Sequence, residues 1–326
     1  MNRYTRLKLG LLAMAAALLL MVAGCDTAPY MDGIKKDSDL KEMGLEGPVK
    51  SLRVRKYRIS RNRNTGEIIN YGLSKSDARN LSYRFNEHGN ISQTTSYTGD
   101  DEISRRWTYA HDQNKGRITE MVHQGTGDDP LFRNVDVYDK NGNRIEHLSY
   151  SQGDDDPYKE TFKYDADGNL LEQIEYVNNG PLKTLYRHDD QGRLIEKSQR
   201  MGDQPMMTET FQYDDAGNLV SSRQEEGRTV HAQYVFEKKY EGGRETERTV
   251  YRDGERASRF VYSYNEHGHR AESREYDADN QLVSVEKIDH EYDDHGNWVK
   301  KIPSDQRGAP RYLLEREIEY FPQLGG

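Results

Sequence analysis

The chain has 326 residues, 47 Lys and Arg against 56 Asp and Glu, and a formal net charge of −9. Seventeen of the first 24 residues are apolar, which leaves about 30% apolar for the remainder. Globular chains carry about 45–50% including Gly, so a thick conventional core and a multi-helix membrane domain are both excluded. The acidic balance lacks the basic footprint that a phosphate backbone needs, which argues against nucleic acid. Disorder is usual for so polar a chain, but 23 Tyr, 7 Phe and 28 Gly point instead to thin β-structure with aromatic anchors.

Residues 1–24 read as a secretory signal. Arg3, Arg6 and Lys8 form a basic start, and Leu9 to Val22 form an apolar run shorter than the roughly 20 residues of a spanning helix. The run ends in Val22-Ala23-Gly24-Cys25, which resembles a bacterial lipobox. That resemblance implies cleavage after Gly24 and a diacylglycerol thioether with an acylated amine on Cys25, a multi-chain anchor stable in a membrane. Cys25 is the one cysteine of the chain, so the mature protein has no disulfide. The cut removes three basic residues and no acid, leaving a mature charge of −12. Residues 25–47 read as the lipidated N-terminus and tether, with one helical turn from Ser38 to Met43 stopped by Gly44.

From residue 48 to 326 the chain repeats. Gly89, Gly116, Gly142, Gly168, Gly192, Gly217, Gly243, Gly268 and Gly296 are 24 to 28 residues apart, a period that means an array of supersecondary units. Most share a frame such as Tyr164-Asp165-Ala166-Asp167-Gly168-Asn169 or Tyr213-Asp214-Asp215-Ala216-Gly217-Asn218. Asp or Asn opens a type I turn, because its side chain accepts backbone donors. A glycine in the left-handed region then closes a hairpin with a bulge. The structural turn positions are accordingly Gly89, Gly142, Gly168, Gly192, Gly217, Gly268 and Gly296. A second aromatic often stands two residues before the first, as Phe162 does to Tyr164 and Phe211 to Tyr213; period two is the strand period. Second turns such as Gly153-Asp154, Gly202-Asp203 and Asp253-Gly254 fall between the first ones. Each unit thus holds two strands, about 20 in all. The expected fold is all-β: an antiparallel hairpin-repeat array forming a long curved or spiralled sheet with aromatic ladders on its inner face.

Arg53, Arg55, Lys56, Arg58, Arg61 and Arg63 put six cations into eleven positions near the anchor. They suit contact with anionic head groups, near 1 kcal/mol per well-placed cation, or a strand face paired with an acidic neighbour such as the next hairpin. At the other end, Tyr312, Leu314, Ile318 and Tyr320 share one strand face, opposite Glu315, Glu317 and Glu319. Charge near an edge resists pairing with other chains.

The Tyr-Asp-x-x-Gly-Asn turn at this period resembles the YD repeats of the Rhs family, over about residues 50–320. In that family long arrays wrap into β-shells around toxin cargo. This chain has too few repeats for a closed cocoon, stops at Gly326 with no toxin domain, and begins with a lipobox. It is more similar to the small YD-repeat lipoproteins of Gram-negative envelopes.

No chemistry stands out. His88, His267 and His295 sit in separate turns, so no spacing supplies the converging ligands of a metal site. Asp165-Ala166-Asp167-Gly168 lacks the further ligands of a calcium loop, since Lys163 and Ile174 occupy those places. There is no Gly-x-Ser-x-Gly, and the acylated Cys25 is no nucleophile. Carboxylates are abundant, which singles out no pair for glycoside hydrolysis. The reading is a non-catalytic, lipid-anchored envelope lipoprotein, a β-repeat platform for a protein or glycan, without cofactor or metal. An immunity or accessory protein of an Rhs-like toxin system and an envelope glycan hydrolase are the alternatives. Which membrane and which face hold the anchor stay open.

Overall fold

The computed structural model describes residues 38–322 apart from Arg63, Asp128 and residues 75–79, 113–116, 178–179 and 227–233. The signal segment, Cys25, the tether up to residue 37, Arg63 and Gly116 therefore lie outside the described residues. Those described belong to one compact unit, Ile34–Gly326.

One short helix, α1 (Asp39–Glu42), precedes an antiparallel sheet of 21 strands. The first seven are β1 (Val49–Arg61), β2 (Ile68–Leu73), β3 (Leu81–Phe85), β4 (Ile91–Tyr97), β5 (Ile103–His111), β6 (Ile118–Gln124) and β7 (Pro130–Tyr138). Then come β8 (Arg144–Ser151), β9 (Tyr158–Tyr164), β10 (Leu170–Val177), β11 (Gly180–His188), β12 (Leu194–Met201), β13 (Gln204–Tyr213) and β14 (Leu219–Glu226). The last are β15 (Tyr234–Glu241), β16 (Arg244–Arg252), β17 (Glu255–Tyr264), β18 (Arg270–Tyr276), β19 (Leu282–Tyr292), β20 (Trp298–Asp305) and β21 (Leu313–Tyr320).

The repeat glycines make the hairpins. Gly168 has φ 89° and Gly217 φ 85°, a region that a side chain with a Cβ resists. Asp165 supplies the other half of its turn: it accepts the N–H groups of Asp167 (3.0 Å) and Asn169 (2.8 Å) and the Nδ2 of Asn169 (2.9 Å). Asp214 holds Asn218 in the same way. Each such turn leaves a register shift where the hairpin opens, as between Gln212 and Tyr213. That is the bulge expected of a type I turn followed by a left-handed glycine.

The ends of this long curved sheet meet. Over Ser51–Val54, β1 pairs with β3 on one side and with β21 on the other; its C-terminal half pairs with β2. The glutamates of β21 therefore do not guard an open edge. Glu317 lies opposite Arg53 and Glu315 opposite Arg55 in the register, so closure is written in complementary charge. The segment 38–47 locks the seam. Leu40 N–H donates to Gly89 O, and Ile91 N–H donates to the Asp39 carboxylate (2.5 Å). Glu46 and Asn297 exchange hydrogen bonds of 2.8 and 2.9 Å. The first and last turns of the array are thus joined to one short segment. Beneath it lies the core cluster of Leu45, Val49, Leu52 and Phe85, with Leu40, Met43, Tyr83 and Ile318 packed against it.

Elsewhere the sheet is one layer thick, because strand contacts run between sheet neighbours. Its two faces differ. On the face that continues Leu52, burial pushes the Tyr83, Tyr109 and Tyr262 hydroxyls and the Glu175 and Glu209 carboxyls up, and holds the His290 imidazole down at about 4. This is the enclosed, inner face. The other carries cross-strand ion pairs open to water: Lys159–Glu146 (2.7 Å), Arg187–Glu196 (2.6 Å), Lys239–Glu247 (2.7 Å) and Lys300–Glu291 (3.0 Å).

Candidate functional site

Three register rows on the inner face of β5–β10 bring chemistry together. The innermost runs Asp136, His147, Glu160, Glu175 across β7–β10, each residue directly opposite the next. The second runs Tyr109, Met121, Asn134, Ser149, Tyr158. The third runs Trp107, His123, Phe132, Ser151. Strand period two places the rows side by side. The third row lies nearest the rim opposite the Tyr-Asp turns.

The polar row is internally bonded. His147 Nδ1 lies 2.7 Å from an Asp136 oxygen, which also faces the Arg144 guanidinium. Burial and the Asp136 charge push the Tyr138 hydroxyl up to about 12. Tyr158 Oη stands 2.9 Å from Glu160 and 3.0 Å from Glu175, so those carboxylate oxygens lie within about 6 Å of each other. A phenol has one proton to donate. The trio is satisfied when one carboxyl keeps a proton and donates it to the phenol oxygen. Burial raises Glu175 first; the Tyr158 hydrogen bond lowers it, the Glu160 charge raises it and Lys197 lowers it, and burial prevails. Gln173 Nε2 donates to Glu160 (3.1 Å), and Tyr186 Oη donates to Gln173 (2.8 Å). Such a group can accept hydroxyl or amine protons, and it can move one proton between two carboxyls.

The residues marked in the sequence stand elsewhere. Gly89, Gly142, Gly168, Gly192, Gly217, Gly268 and Gly296 are all left-handed turn glycines, with φ between 76° and 97°. The basic run is divided by strand alternation. Arg53 pairs with Asp101 and lies over the Tyr97 ring, while Arg55 pairs with Glu317 (2.6 Å). Lys56 lies over Tyr312. Arg58 and Arg61 donate to the carbonyls of Tyr71 and Gly66. The acidic partner is thus the last strand and the β4–β5 turn, not the next hairpin. His88, His267 and His295 stay in separate turns. Among the described residues, no three of His, Cys, Asp and Glu are placed to share a metal ion. Sequence inspection missed Asp136, His147, Tyr158, Glu160 and Glu175. The signal was available: counting outward from each turn glycine gives the register, and so the rows.

The turn tyrosines also bind one repeat to the next. Tyr138 Oη donates to Ile118 O (2.6 Å), Tyr164 to Arg144 O (2.9 Å), Tyr213 to Leu194 O (2.8 Å), Tyr240 to Leu219 O (3.1 Å) and Tyr264 to Glu245 O (2.5 Å). Each acceptor lies two residues past the preceding turn glycine. Residues 132–238 match the Teneurin YD-shell family.

Over residues 132–238 the chain carries YD repeats.

No curated protein matches it. Among solved structures, the crystal structure of TcdB2-TccC3 is 14% identical with a TM-score of 0.36, over 80% of this chain and 19% of that one. This chain therefore spans about a fifth of that one's length. A porin-like protein from Bacteroides uniformis ATCC 8492 is 9% identical with a TM-score of 0.34, over 84% of this chain and 98% of that one. In YD-repeat terms the Tyr binds the previous repeat and the Asp binds its own turn. The tyrosine is not universal: Phe85, His111 and His188 hold its register place in their repeats. His188 Nδ1 is buried without a hydrogen-bond partner among the described residues.

Proposed function

We propose that this YD-repeat protein is a lipid-anchored, non-catalytic component of a bacterial envelope that binds a glycan or protein ligand on the inner face of its closed sheet. One observation carries the reading: a single-layer sheet closes on itself and turns a buried, polar and aromatic face inward. Repeat arrays offer extended concave surfaces of this kind. The ion pairs of the opposite face favour water over lipid, because a membrane barrel presents an apolar outer band. The membrane link is then the lipid on Cys25.

Two experiments test this. In cells given labelled palmitate, the wild type takes up label and Cys25→Ser does not; labelling of the mutant would overturn the anchor. A photo-crosslinking residue at Leu182, inward and opposite Glu175, captures a ligand that the same residue at the outward Tyr176, 49% exposed, does not. Capture from Tyr176 alone would overturn the inner-face reading.

A second reading, hydrolysis of an envelope glycan, is favoured by Glu160 and Glu175. Their oxygens lie within about 6 Å of each other, a bound that admits the roughly 5–5.5 Å of a retaining glycosidase pair, and burial raises Glu175 toward keeping a proton. Glu160→Gln and Glu175→Gln, each folded and each abolishing a hydrolytic activity of the wild type, would establish it.

A further inference from the structure

The Trp107, His123 and Phe132 rings form a continuous stack across β5–β7. Centroids are 4.9 and 5.6 Å apart, and successive planes are tilted by only 3° and 7°. The stack stops at Phe132, which is 38% exposed. The next place in its row belongs to Ser151, and the place beside that to Ser149. Two serines on β8 therefore leave a slot between the Phe132 ring of β7 and the half-open Tyr158 of β9, 36% exposed, two strand spacings or about 9.6 Å apart.

The slot has polar walls with unused capacity. Asn134 Oδ1, in the row beside Phe132 and opposite Ser149, is buried with no hydrogen-bond partner among the described residues. Buried polar atoms are normally satisfied, and leaving one unmade costs about 1–3 kcal/mol. Asp136 and Glu160 lie one row further in. Beyond them the wall is carboxyl-rich, with Glu175 and Glu209, and Lys197 stands opposite Glu209.

From this geometry we infer a saccharide subsite: a pyranose ring of a neutral or amino sugar extends the aromatic stack on the free side of Phe132. Its apolar ring face lies on the phenyl ring. A hydroxyl of the ring donates to Asn134 Oδ1, with the Asp136 and Glu160 carboxylates about 13 Å from Phe132 along the strands as the acidic wall beyond. The acidic wall disfavours uronic acids and welcomes an ammonium. This rests on the inner-face binding reading above and names the ligand class of that face.

The test is calorimetric titration of the folded protein with three soluble trimers: N-acetylglucosamine, glucosamine and galacturonic acid. The expected result is saturable binding of the first two and none of the third. Phe132→Ala should weaken binding at least tenfold, and Ser151→Trp, which fills the slot, should abolish it. Tyr176→Ala, on the outer face, should change nothing. Circular dichroism confirms folding of each variant. Absence of saturable heat with all three trimers, undiminished binding by both Phe132→Ala and Ser151→Trp, or preference for the galacturonic trimer would overturn the subsite. If the Leu182 crosslinker still captures a ligand while no trimer binds, the subsite fails and the inner-face reading stands. If neither captures nor binds, both fail.

Discussion

Removing the hydroxyl of Tyr164 breaks one bond between repeats and leaves the Arg144 carbonyl short of a donor. Tyr164→Phe should cost about 1 kcal/mol, the net worth of an ordinary hydrogen bond. The reverse change is available at His188, where the ladder is interrupted. His188→Tyr places a hydroxyl where Tyr138, Tyr164, Tyr213, Tyr240 and Tyr264 have one and removes a buried unpartnered nitrogen. It should stabilise by about 0.5–1.5 kcal/mol. Urea melts of the two variants should move in opposite directions; a destabilised His188→Tyr would show that the histidine is held for another reason. At the turn itself, Gly168→Val forces a branched residue to φ 89° and should cost roughly 1–3 kcal/mol. Coincident melts of this variant and wild type would refute the turn assignment.

Among the elements, β1 decides whether the sheet is a ribbon or a ring. Arg55 and Glu317 are complementary across the seam, yet the Glu317 side chain is 69% exposed. Exposed pairs contribute about 0–1 kcal/mol, so Arg55→Ala should shift stability by less than about 1 kcal/mol. Leu52, wholly buried with Val49 and Phe85, should cost about 2–5 kcal/mol as Leu52→Ala. Charge selects the partner strand and apolar burial holds it. If the two variants lose equal stability in chemical denaturation, that division of labour is wrong.

For the whole molecule, pH acts through two classes of carboxyl. Asp165 and Asp214 are lowered, first by the Asn side chains that donate to them and then by turn N–H groups. Their contribution is present above the ordinary value of 3.8 and is lost as pH falls through the depressed folded value. Glu175 and Glu209 are raised, first by burial. Their contribution is present below the ordinary value of 4.5 and is lost as pH rises through the elevated folded value. Stability should therefore fall at the acid end through the turns and decline toward neutrality through the inner face. Glu175→Gln should remove part of the neutral decline and leave the acid limb unchanged. Thermal melts across pH 2 to 8 check this; an identical neutral limb in wild type and variant would mean that Glu175 is not desolvated.

How much of this was legible in the sequence depends on range. Tyr164, Asp165 and Gly168 act within one hairpin, so period, strand number and turn type follow from local stereochemistry. The basic run of β1 and the acidic strand β21 were visible as patterns, but their pairing spans more than 250 residues and needs the sheet's accumulated twist to bring the ends together. Asp136, His147, Glu160 and Glu175 come from four strands and look like ordinary surface charge one at a time. They become a site only when register aligns them and curvature encloses them. Sequence alone determined the hairpin and its repetition, because those rest on backbone conformation. Tertiary structure alone decided closure and the identity of the inner face, because both depend on where distant strands meet.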